Sequence, residues 1–207
     1  MASFKTKKIM RIKNLLLTII TLGAFSTSLF ANHNHSDLKI NTTISQVKWT
    51  GKKVTGEHNG SIAIKEGTLN LHDGKFSGGT VVMDMTSITC EDLKDKTYNK
   101  KLVDHLNSPD FFDVANHPTA TLKIIRAVAV AGKTHIISGA LTIKGITMSI
   151  DFPAEIEIKE GKLVASAELK IDRTLYDIKY GSGKFFEDLG DKMIDDKFII
   201  NLKIAAQ

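Results

Sequence analysis

Apolar and polar residues alternate along most of the chain after residue 38. In ITMSIDF, residues 146–152, every second side chain is apolar, and ATLKII at 120–125 follows the same period of two. This period is typical of a β-strand that buries one face and exposes the other. We therefore expect a series of half-buried antiparallel strands.

Short glycine-containing stretches separate these alternating runs. Glycine favours tight connections between adjacent strands, because it adopts backbone angles that other residues avoid. Strands at hairpin spacing, without regularly interleaved helices, predict an all-β sandwich or barrel. The stretches are KEGT (65–68), HDGK (72–75), AGK (131–133), IKGI (143–146) and KEGK (159–162).

One segment, TYNKKLVDHLN, has a different period. Its residues Tyr98, Leu102 and Leu106 recur every four positions, which places them on one face of a helix. Thr97 is a candidate N-cap residue, because its hydroxyl can accept a hydrogen bond from the first turn. We predict one short amphipathic helix around 97–107.

One face of the strands supplies the interior of the predicted fold. A closed antiparallel barrel of about eight strands is either filled by its own side chains or holds one small ligand. Flexible methionines suit an apolar cavity that adapts its shape, but the alternation alone leaves a packed core and a lined cavity equally open. The inward-facing residues are Ile62, Ile64, Val81, Met83, Met85, Leu122, Ile124, Leu141, Ile143, Ile146, Met148, Ile150, Phe152, Leu163, Leu169 and Ile171.

The start of the chain has the composition of a secretory signal peptide. Five basic residues precede the apolar run LLLTIITLGAFSTSLFA, which ends in small residues and has no charged far flank. We expect cleavage after Ala31, a flexible leader at 32–37, and a single domain at 38–207 that is exported to the periplasm or secreted. Removing residues 1–31 leaves 23 basic and 23 acidic side chains, so the basic character of a nucleic-acid-binding protein is absent.

Motifs for catalysis or metal binding are scarce. The sequence contains no GxSxG, CxxC, HExxH or phosphate-loop pattern, and its single cysteine, Cys90, excludes an intrachain disulfide. We therefore predict no cofactor, no metal centre and no catalytic residue. His58 in TGEHNGSIAI lies between two glycines, which favours a corner of the sheet; a catalytic or ligand-binding role is the alternative for this residue.

Four blocks of sequence carry a resemblance to a known family: GEHNGSIAIKEGTL, KLVDHLNSPDFFDVANHPTATLKI, ISGALTIKGITMSIDFPAEI and IDRTLYDIKYGSG, in this order. From residue 38 onward the chain resembles the YceI-like family of exported proteins that bind polyisoprenoid lipids. The resemblance implies a lipocalin-like, extended antiparallel barrel with a long apolar tunnel for an isoprenoid or fatty-acyl chain. The family motif DRT corresponds to Asp172–Thr174. Tyr176 and Ile178 fit its continuation, but Asp177 stands where the family often has glycine.

The resemblance, the apolar inward face and the export signal together predict a binding protein that is not an enzyme. We expect it to hold a single-chain amphiphilic lipid for transport, storage or sequestration, with no stable membrane span after cleavage. His58, Arg173 and Tyr180 are the candidates for contact with the polar end of the lipid. The predicted lining of the tunnel is Ile62, Ile64, Val81, Met83, Met85, Phe111, Phe112, Leu122, Leu141, Ile143, Met148, Ile150, Phe152, Leu169, Ile171 and Tyr176.

Two alternative functions are open at this stage. The first is an enzyme that acts on a lipid or isoprenoid, with His58 or His105 as general base. The second is an envelope stress protein with a fully packed core that binds no ligand. The lipid's chain length and head group are open, and so is the oligomeric state. A closed barrel needs no partner for its edges, yet a homodimer is compatible with it.

Overall fold

The computed structural model describes residues 34–207. Within this part of the chain there are nine β-strands and one α-helix. The strands are β1 (His35–Lys39), β2 (Gln46–Lys53), β3 (Gly56–His72), β4 (Lys75–Asp84), β5 (Thr119–Ala131), β6 (Thr134–Ile143), β7 (Ile146–Lys159), β8 (Lys162–Asp172) and β9 (Lys197–Ala206), and the helix is α1 (Lys96–Asn107).

The strands form one closed antiparallel barrel, as predicted. Neighbours follow the order β3-β2-β9-β8-β7-β6-β5-β4, and pairing of β4 with β3 closes the ring. The ninth strand, β1, adds no position of its own. It pairs with the second half of β3 at Thr68–His72, while β2 pairs with the first half at Gly56–Ile62. The barrel therefore has eight positions, one of which is filled by β1 and β2 in succession.

Four of the five predicted glycine turns connect adjacent strands, at 72–75, 131–134, 143–146 and 159–162. The fifth prediction, a turn at KEGT, was wrong, because β3 continues through it with a register shift between Ile64 and Glu66. Glycine is needed at position 67 because the backbones of β3 and β4 approach closely there, and not because the chain turns. A Cβ at this position would lie 2.7 Å from the carbonyl oxygen of Thr80.

The predicted helix is confirmed as α1 (Lys96–Asn107), but its N-cap lies two residues earlier than the predicted Thr97. The N-cap is Asp95, whose carboxylate accepts hydrogen bonds from the backbone N–H groups of Thr97 and Tyr98. Its negative charge also interacts favourably with the positive N-terminal end of the helix dipole. Leu106 is buried beneath the helix, whereas Tyr98 is 65% exposed, so the predicted apolar face is shorter than three turns.

The N-terminal predictions have mixed outcomes. The signal peptide, residues 1–31, lies outside the described residues. The flexible leader at 32–37 needs correction, because residues 35–37 belong to β1 and are paired with β3. The polar residues there gave no strand signal, and the ordering comes from the pairing and from Leu38, which is 7% exposed. No helix within residues 34–207 is long and apolar enough to cross a membrane.

The two ends of the barrel are built differently. We call the end that carries the turns at 72–75, 131–134 and 159–162 the hairpin end, and the end that carries α1 the helix end. β7 and β8 pair only near the hairpin end, from Ala154 to Lys159 on β7. Toward the helix end they separate, and the 3₁₀ turn Arg173–Tyr176 packs against β7. The wall at the helix end is therefore completed by a segment outside the strands.

Candidate functional site: two apolar cavities in the barrel

An apolar cavity of about 100 Å³, which we call the helix-end cavity, occupies the barrel beneath α1. Eleven of the sixteen predicted lining residues border it: Ile62, Val81, Met83, Met85, Phe111, Phe112, Leu122, Leu141, Ile143, Leu169 and Ile171. Arg173, predicted as a contact for the polar end of the lipid, also borders it. The lining residues that were not predicted are Trp49, Gly51, Ile88, Leu106, Ala120, Ile178, Ile194, Asp195, Phe198, Ile200 and Leu202.

A second apolar cavity of about 40 Å³, the hairpin-end cavity, lies deeper in the barrel. Val81, Leu122 and Leu202 line both cavities, so these three side chains form the constriction between them. The space exists because small inward-facing residues, among them Ala165 and Ala167 on β8, leave the barrel axis unfilled. The remaining lining residues are Leu69, Phe76, Ile124, Ile137, Phe152, Ala154, Ile156, Ser166 and Ile204.

The other predicted lining residues have different positions. Phe152 lines the hairpin-end cavity rather than the helix-end one. Ile64 is buried in the core but borders neither cavity. Met148 and Ile150 are only partly buried, because they lie on the part of β7 that has no pairing with β8. Tyr176 is 1% exposed and belongs to the 3₁₀ turn that packs against β7, so it fills the wall instead of lining the cavity.

The lining residues that sequence reasoning missed fall into two groups. Ile200 and Leu202 follow the alternating pattern of FIINLKIAA and could have been added from it. Leu106 follows the four-residue period of the predicted helix, whereas Ile88, Ile178 and Ile194 lie outside strands and helix and carry no periodic signal. Their positions depend on contacts between segments that are far apart in sequence, which alternation cannot report.

The helix-end cavity approaches solvent beside the loop between β8 and β9. The lining residues that are not fully buried there include Gly51, Phe112, Ile194 and Phe198, and Asp195 is exposed. The rings of Phe112 and Phe198 meet edge to face with their centroids 6.4 Å apart. We call this group the mouth.

Asp195 also borders a solvent-facing groove on the outer surface of β2, β8 and β9, which we call the rim groove. Its charged residues are four lysines and three aspartates: Lys52, Lys170, Lys184, Lys197, Asp172, Asp195 and Asp196. Asp172 and Asp196 both pair with Lys184, at 2.9 and 3.2 Å. The apolar interior and this polar, mixed-charge surface therefore share Asp195 as a border.

Arg173 lies at the cavity wall, 3% exposed, and its guanidinium binds the backbone of the surrounding loops. Nε donates to the carbonyl of Asp195 at 3.0 Å, Nη1 to those of Ile178 and Tyr180 at 2.8 Å each, and Nη2 to that of Ile194 at 3.0 Å. Four of its five N–H groups are therefore engaged within the protein. Its predicted contact with a lipid head group stays a prediction, and the geometry makes it the clamp that holds both loops at the mouth.

Tyr180 and His105 form an outer aromatic layer over the helix-end cavity. Their rings are edge to face with centroids 4.5 Å apart, and Phe111, which lines the cavity, lies 5.7 Å from Tyr180 and 4.9 Å from His105. Tyr180 is 45% exposed and does not border the cavity itself. Its predicted role at the polar end of a lipid would require this layer to move.

His58 lies on β3, opposite Gly51, and borders neither cavity. Its Nδ1 donates to Asp92 Oδ2 at 2.8 Å, a contact that spans 34 residues of sequence. The glycine that follows allows this contact, because the segment containing Asp92 crosses β3 at Gly60. A Cβ on Gly60 would lie 1.8 Å from the carbonyl oxygen of Thr89.

The Asp92 carboxyl is strongly stabilised in its charged form. Burial alone would raise its pKa, but hydrogen bonds from the Asn59 backbone N–H, His58 and Cys90 outweigh that effect and lower the pKa to about 2. His58 is therefore hydrogen-bonded to the charged carboxylate of Asp92, a contact that the sequence pattern did not predict.

Comparisons with known proteins agree with this architecture. The model of the YceI-like domain matches residues 38–206. A UPF0312 protein of Ectopseudomonas mendocina is 32% identical over 98 residues, which are 46% of this chain and 51% of that protein, so the match spans about half of the relative's length. BcnA of Burkholderia cenocepacia superposes with a TM-score of 0.64 at 21% identity, covering 81% of this chain and 99% of BcnA.

A polyisoprenoid binding domain from Saccharophagus degradans superposes with a TM-score of 0.60 at 12% identity, covering 82% of this chain and 97% of the domain. At such identities the two solved structures are evidence for the fold alone.

Proposed function

This chain belongs to the YceI-like domain family, and on that premise we propose that it is an exported carrier that holds one single-chain amphiphilic lipid. The observation that carries the proposal is the apolar path from the mouth at Phe112 and Phe198, through the helix-end cavity, to the hairpin-end cavity. Isoprenoid and fatty-acyl chains are the ligands that fit such a lining, because both are long, apolar and narrow.

Burial of the chain supplies the affinity. Ten buried methylene groups contribute on the order of 8 kcal/mol before the cost of association. The cavities of about 100 and 40 Å³ are narrow, so admission of a chain requires side chains to change rotamer. Met83 and Met85 are suited to this, because a thioether side chain repacks with little strain.

The polar end of the lipid lies in the rim groove, outside the mouth. Asp195 is the link, since it borders both the helix-end cavity and the groove. Lys170 and Lys197 lie exposed in this groove and present positive charge to an anionic head group such as a phosphate or carboxylate. Asp195 itself is unfavourable for an anion, so the lysines and the aspartate act in opposite directions.

Native mass spectrometry of protein purified without detergent tests the proposal. We expect a mass increment that matches one lipid, and after delipidation we expect one equivalent of an added polyprenol, polyprenyl phosphate or fatty acid to restore it. Leu141→Glu, which places a carboxylate in the helix-end cavity, should lose the increment; Thr142→Glu on the opposite face of β6 should keep it. Protein without lipid that also takes up none of the added chains would contradict the proposal.

Export and the absence of catalysis belong to the same proposal. The intact mass of protein recovered from the periplasm or culture medium should correspond to cleavage after Ala31. Lipid recovered from the complex should have the mass that was added. A covalently changed lipid would favour the predicted alternative of an enzyme with His58 or His105 as base. A homodimer stays a prediction.

A further inference from the structure

We propose that His58, Cys90 and Asp92 form a zinc-binding site at the helix end of the barrel. One nitrogen, one sulfur and one carboxylate oxygen from these residues lie within 4.8 Å of one another. His58 Nδ1 and Asp92 Oδ2 are 2.8 Å apart, and Cys90 Sγ and Asp92 Oδ1 are 3.3 Å apart. None of the three residues lines either cavity, so metal binding and lipid binding can be measured separately.

The three donors lie near enough to one another for side-chain rotation to bring them to the spacing of a tetrahedral zinc site. Bonds of about 2.0–2.3 Å to nitrogen, oxygen and sulfur place neighbouring ligands roughly 3.3–3.8 Å apart. The histidine and the carboxylate therefore need to separate by about half an ångström, which a side-chain rotation provides. Three protein ligands leave the fourth position for water, the arrangement of zinc sites that are not purely structural.

The backbone around the cluster is fixed before any metal binds. Thr89 N donates to Ser61 O at 3.0 Å, and Glu91 N donates to Asn59 O at 2.8 Å, so the segment carrying Cys90 and Asp92 is tied to β3. On its other side, Nδ2 of Asn99 in α1 donates to the carbonyl of Cys90 at 2.8 Å. Preorganised donors reduce the cost of binding, because little backbone entropy is lost.

The surroundings also supply an outer layer of contacts. The backbone N–H of Asn59 donates to Asp92 Oδ1 at 2.9 Å, which leaves Oδ2 to face the metal. Such outer contacts orient metal ligands and raise affinity. Burial raises the pKa of the Cys90 thiol, with the Asp92 carboxylate adding to the effect. Zinc binding would therefore release the thiol proton and strengthen as pH rises.

The donor set selects the metal. Thiolate and imidazole ligands suit zinc and disfavour calcium and magnesium, which require oxygen ligands.

The site also lies next to the wall of the helix-end cavity. Trp49 and Ile88 line the helix-end cavity, and the indole N–H of Trp49 donates to the carbonyl of Thr89, next to Cys90. A bound metal would stiffen this part of the cavity wall.

Cobalt substitution provides a sharp test, because Cys90 is the only cysteine in the chain. The purified protein, freed of metal with a chelator and kept reduced, is titrated with Co²⁺ and then Zn²⁺. We expect a thiolate-to-cobalt charge-transfer band that saturates at one metal per chain and disappears when Zn²⁺ is added. Any such band must come from Cys90, whereas the other histidines and carboxylates cannot produce it.

Four variants assign the ligands. Cys90→Ser should lose the band, and His58→Gln and Asp92→Asn should raise the Kd for Zn²⁺ at least roughly 100-fold, since losing a ligand costs more than the 10–100-fold typical of an outer contact. His72→Gln is the matched control, because His72 also lies beside an aspartate, with Nδ1 3.4 Å from Asp73, but far from Cys90 in the fold. Thermal unfolding of the metal-free variants separates loss of a ligand from loss of the fold.

Absence of the band at millimolar Co²⁺ would overturn the site. A band that persists in both His58→Gln and Asp92→Asn would overturn it too, because the thiolate would then be binding metal with other partners. Neither result would bear on the carrier proposal, whose test is the mass of bound lipid.

Discussion

Every residue that lines the hairpin-end cavity lies in a β-strand, whereas the helix-end cavity takes much of its wall from outside the strands. The non-strand residues of that wall include Ile88, Leu106 on α1, Phe111, Ile178 and Ile194. β7 and β8 separate toward the helix end, and the turn after β8 completes the wall. The barrel interior thus has two kinds of wall: paired strands surround the hairpin-end cavity, and strands together with the helix and loops surround the helix-end cavity.

Different interactions set the shape of each half. In the hairpin half, strand pairing fixes the backbone, so the cavity is defined by side-chain volume, such as the small Ala165 and Ala167. In the helix half, the loops are held by polar contacts, such as those of Arg173 and Asp92, and the cavity depends on them. The proposed entry of the lipid at the mouth uses the half whose wall can rearrange with the least loss of strand pairing.

Removing the Arg173 clamp should destabilise the helix half more than any other substitution that distinguishes the two halves. Arg173→Met leaves the carbonyls of Ile178, Tyr180, Ile194 and Asp195 without their donor. We expect the free energy of unfolding to fall by about 3–5 kcal/mol, because buried polar groups lose their partners. Urea denaturation measures this change.

Arg126→Met is the matched control, since Arg126 is exposed on β5. It should change stability by less than about 0.5 kcal/mol. Hydrogen exchange should show faster exchange at Ile194 and Ile178 than at Leu163 in Arg173→Met. Equal stability of the two arginine variants would show that the clamp does not support the helix half.

The constriction between the cavities offers a test based on chain length. Val81→Phe adds volume where Val81, Leu122 and Leu202 meet, so it should confine a lipid to the helix-end cavity. Loss of about four buried methylenes would weaken long chains by about 3 kcal/mol, on the order of 100-fold, and leave short chains unchanged. Isothermal titration with a series of chain lengths measures the difference.

Val82→Phe is the control for this experiment, because Val82 is the next residue on β4 and faces outward. It should bind all chain lengths as the unaltered protein does. If Val81→Phe lowers affinity equally for short and long chains, the hairpin-end cavity takes no part in binding and the division into two halves fails for function.

The strand-built wall could be predicted from the sequence, whereas much of the loop-built wall could not. The period of two located the strands, the barrel and most strand residues of the helix-end cavity, such as Met83 and Leu141. It works because side chains of a strand alternate strictly between the two faces. Met148 follows the same period and packs against the core, but it lines neither cavity and is only partly buried, because the neighbouring strand β8 has separated there.

The loop-built wall carried no comparable signal. Arg173 contacts Ile194 and Asp195, 21 and 22 residues away in sequence, and His58 contacts Asp92 across 34 residues. Such contacts depend on the closed barrel and cannot be inferred from local spacing. The family resemblance supplied the tunnel, but neither its two-part form nor the His58–Cys90–Asp92 cluster.

Acid should weaken the helix half before the hairpin half. Asp92 has a pKa lowered to about 2 from its ordinary value of 3.8, so its stabilisation is present above about pH 4 and is lost as the pH falls toward 2. Allowing for its 27% exposure, we expect a loss of about 1–2 kcal/mol.

Asp92→Asn should lack this stabilisation at neutral pH and show a correspondingly smaller loss in acid, measured by urea denaturation with a chelator present. Asp104→Asn is the control, because Asp104 pairs with Lys100 on the exposed face of α1. Identical acid dependence in all three proteins would show that Asp92 does not hold the wall of the helix half.

The smallest change in affinity concerns the polar end of the lipid, which we propose lies in the rim groove at the helix end. Replacing both Lys170 and Lys197 with Gln removes positive charge from the rim groove and leaves the cavity lining unchanged. Exposed charges contribute about 0.2–1 kcal/mol each, so a polyprenyl phosphate should bind roughly 2–30-fold more weakly, with the effect decreasing as salt rises. The uncharged polyprenol should bind unchanged, because its affinity comes from the buried chain.

The charge-matched control is Lys123→Gln with Lys162→Gln, at exposed positions of β5 and β8 outside the groove. A phosphate ligand that is insensitive to the first pair, or equally sensitive to both, would place the head group away from the rim groove. The apolar path would then have to meet solvent at another point of the loop-built wall.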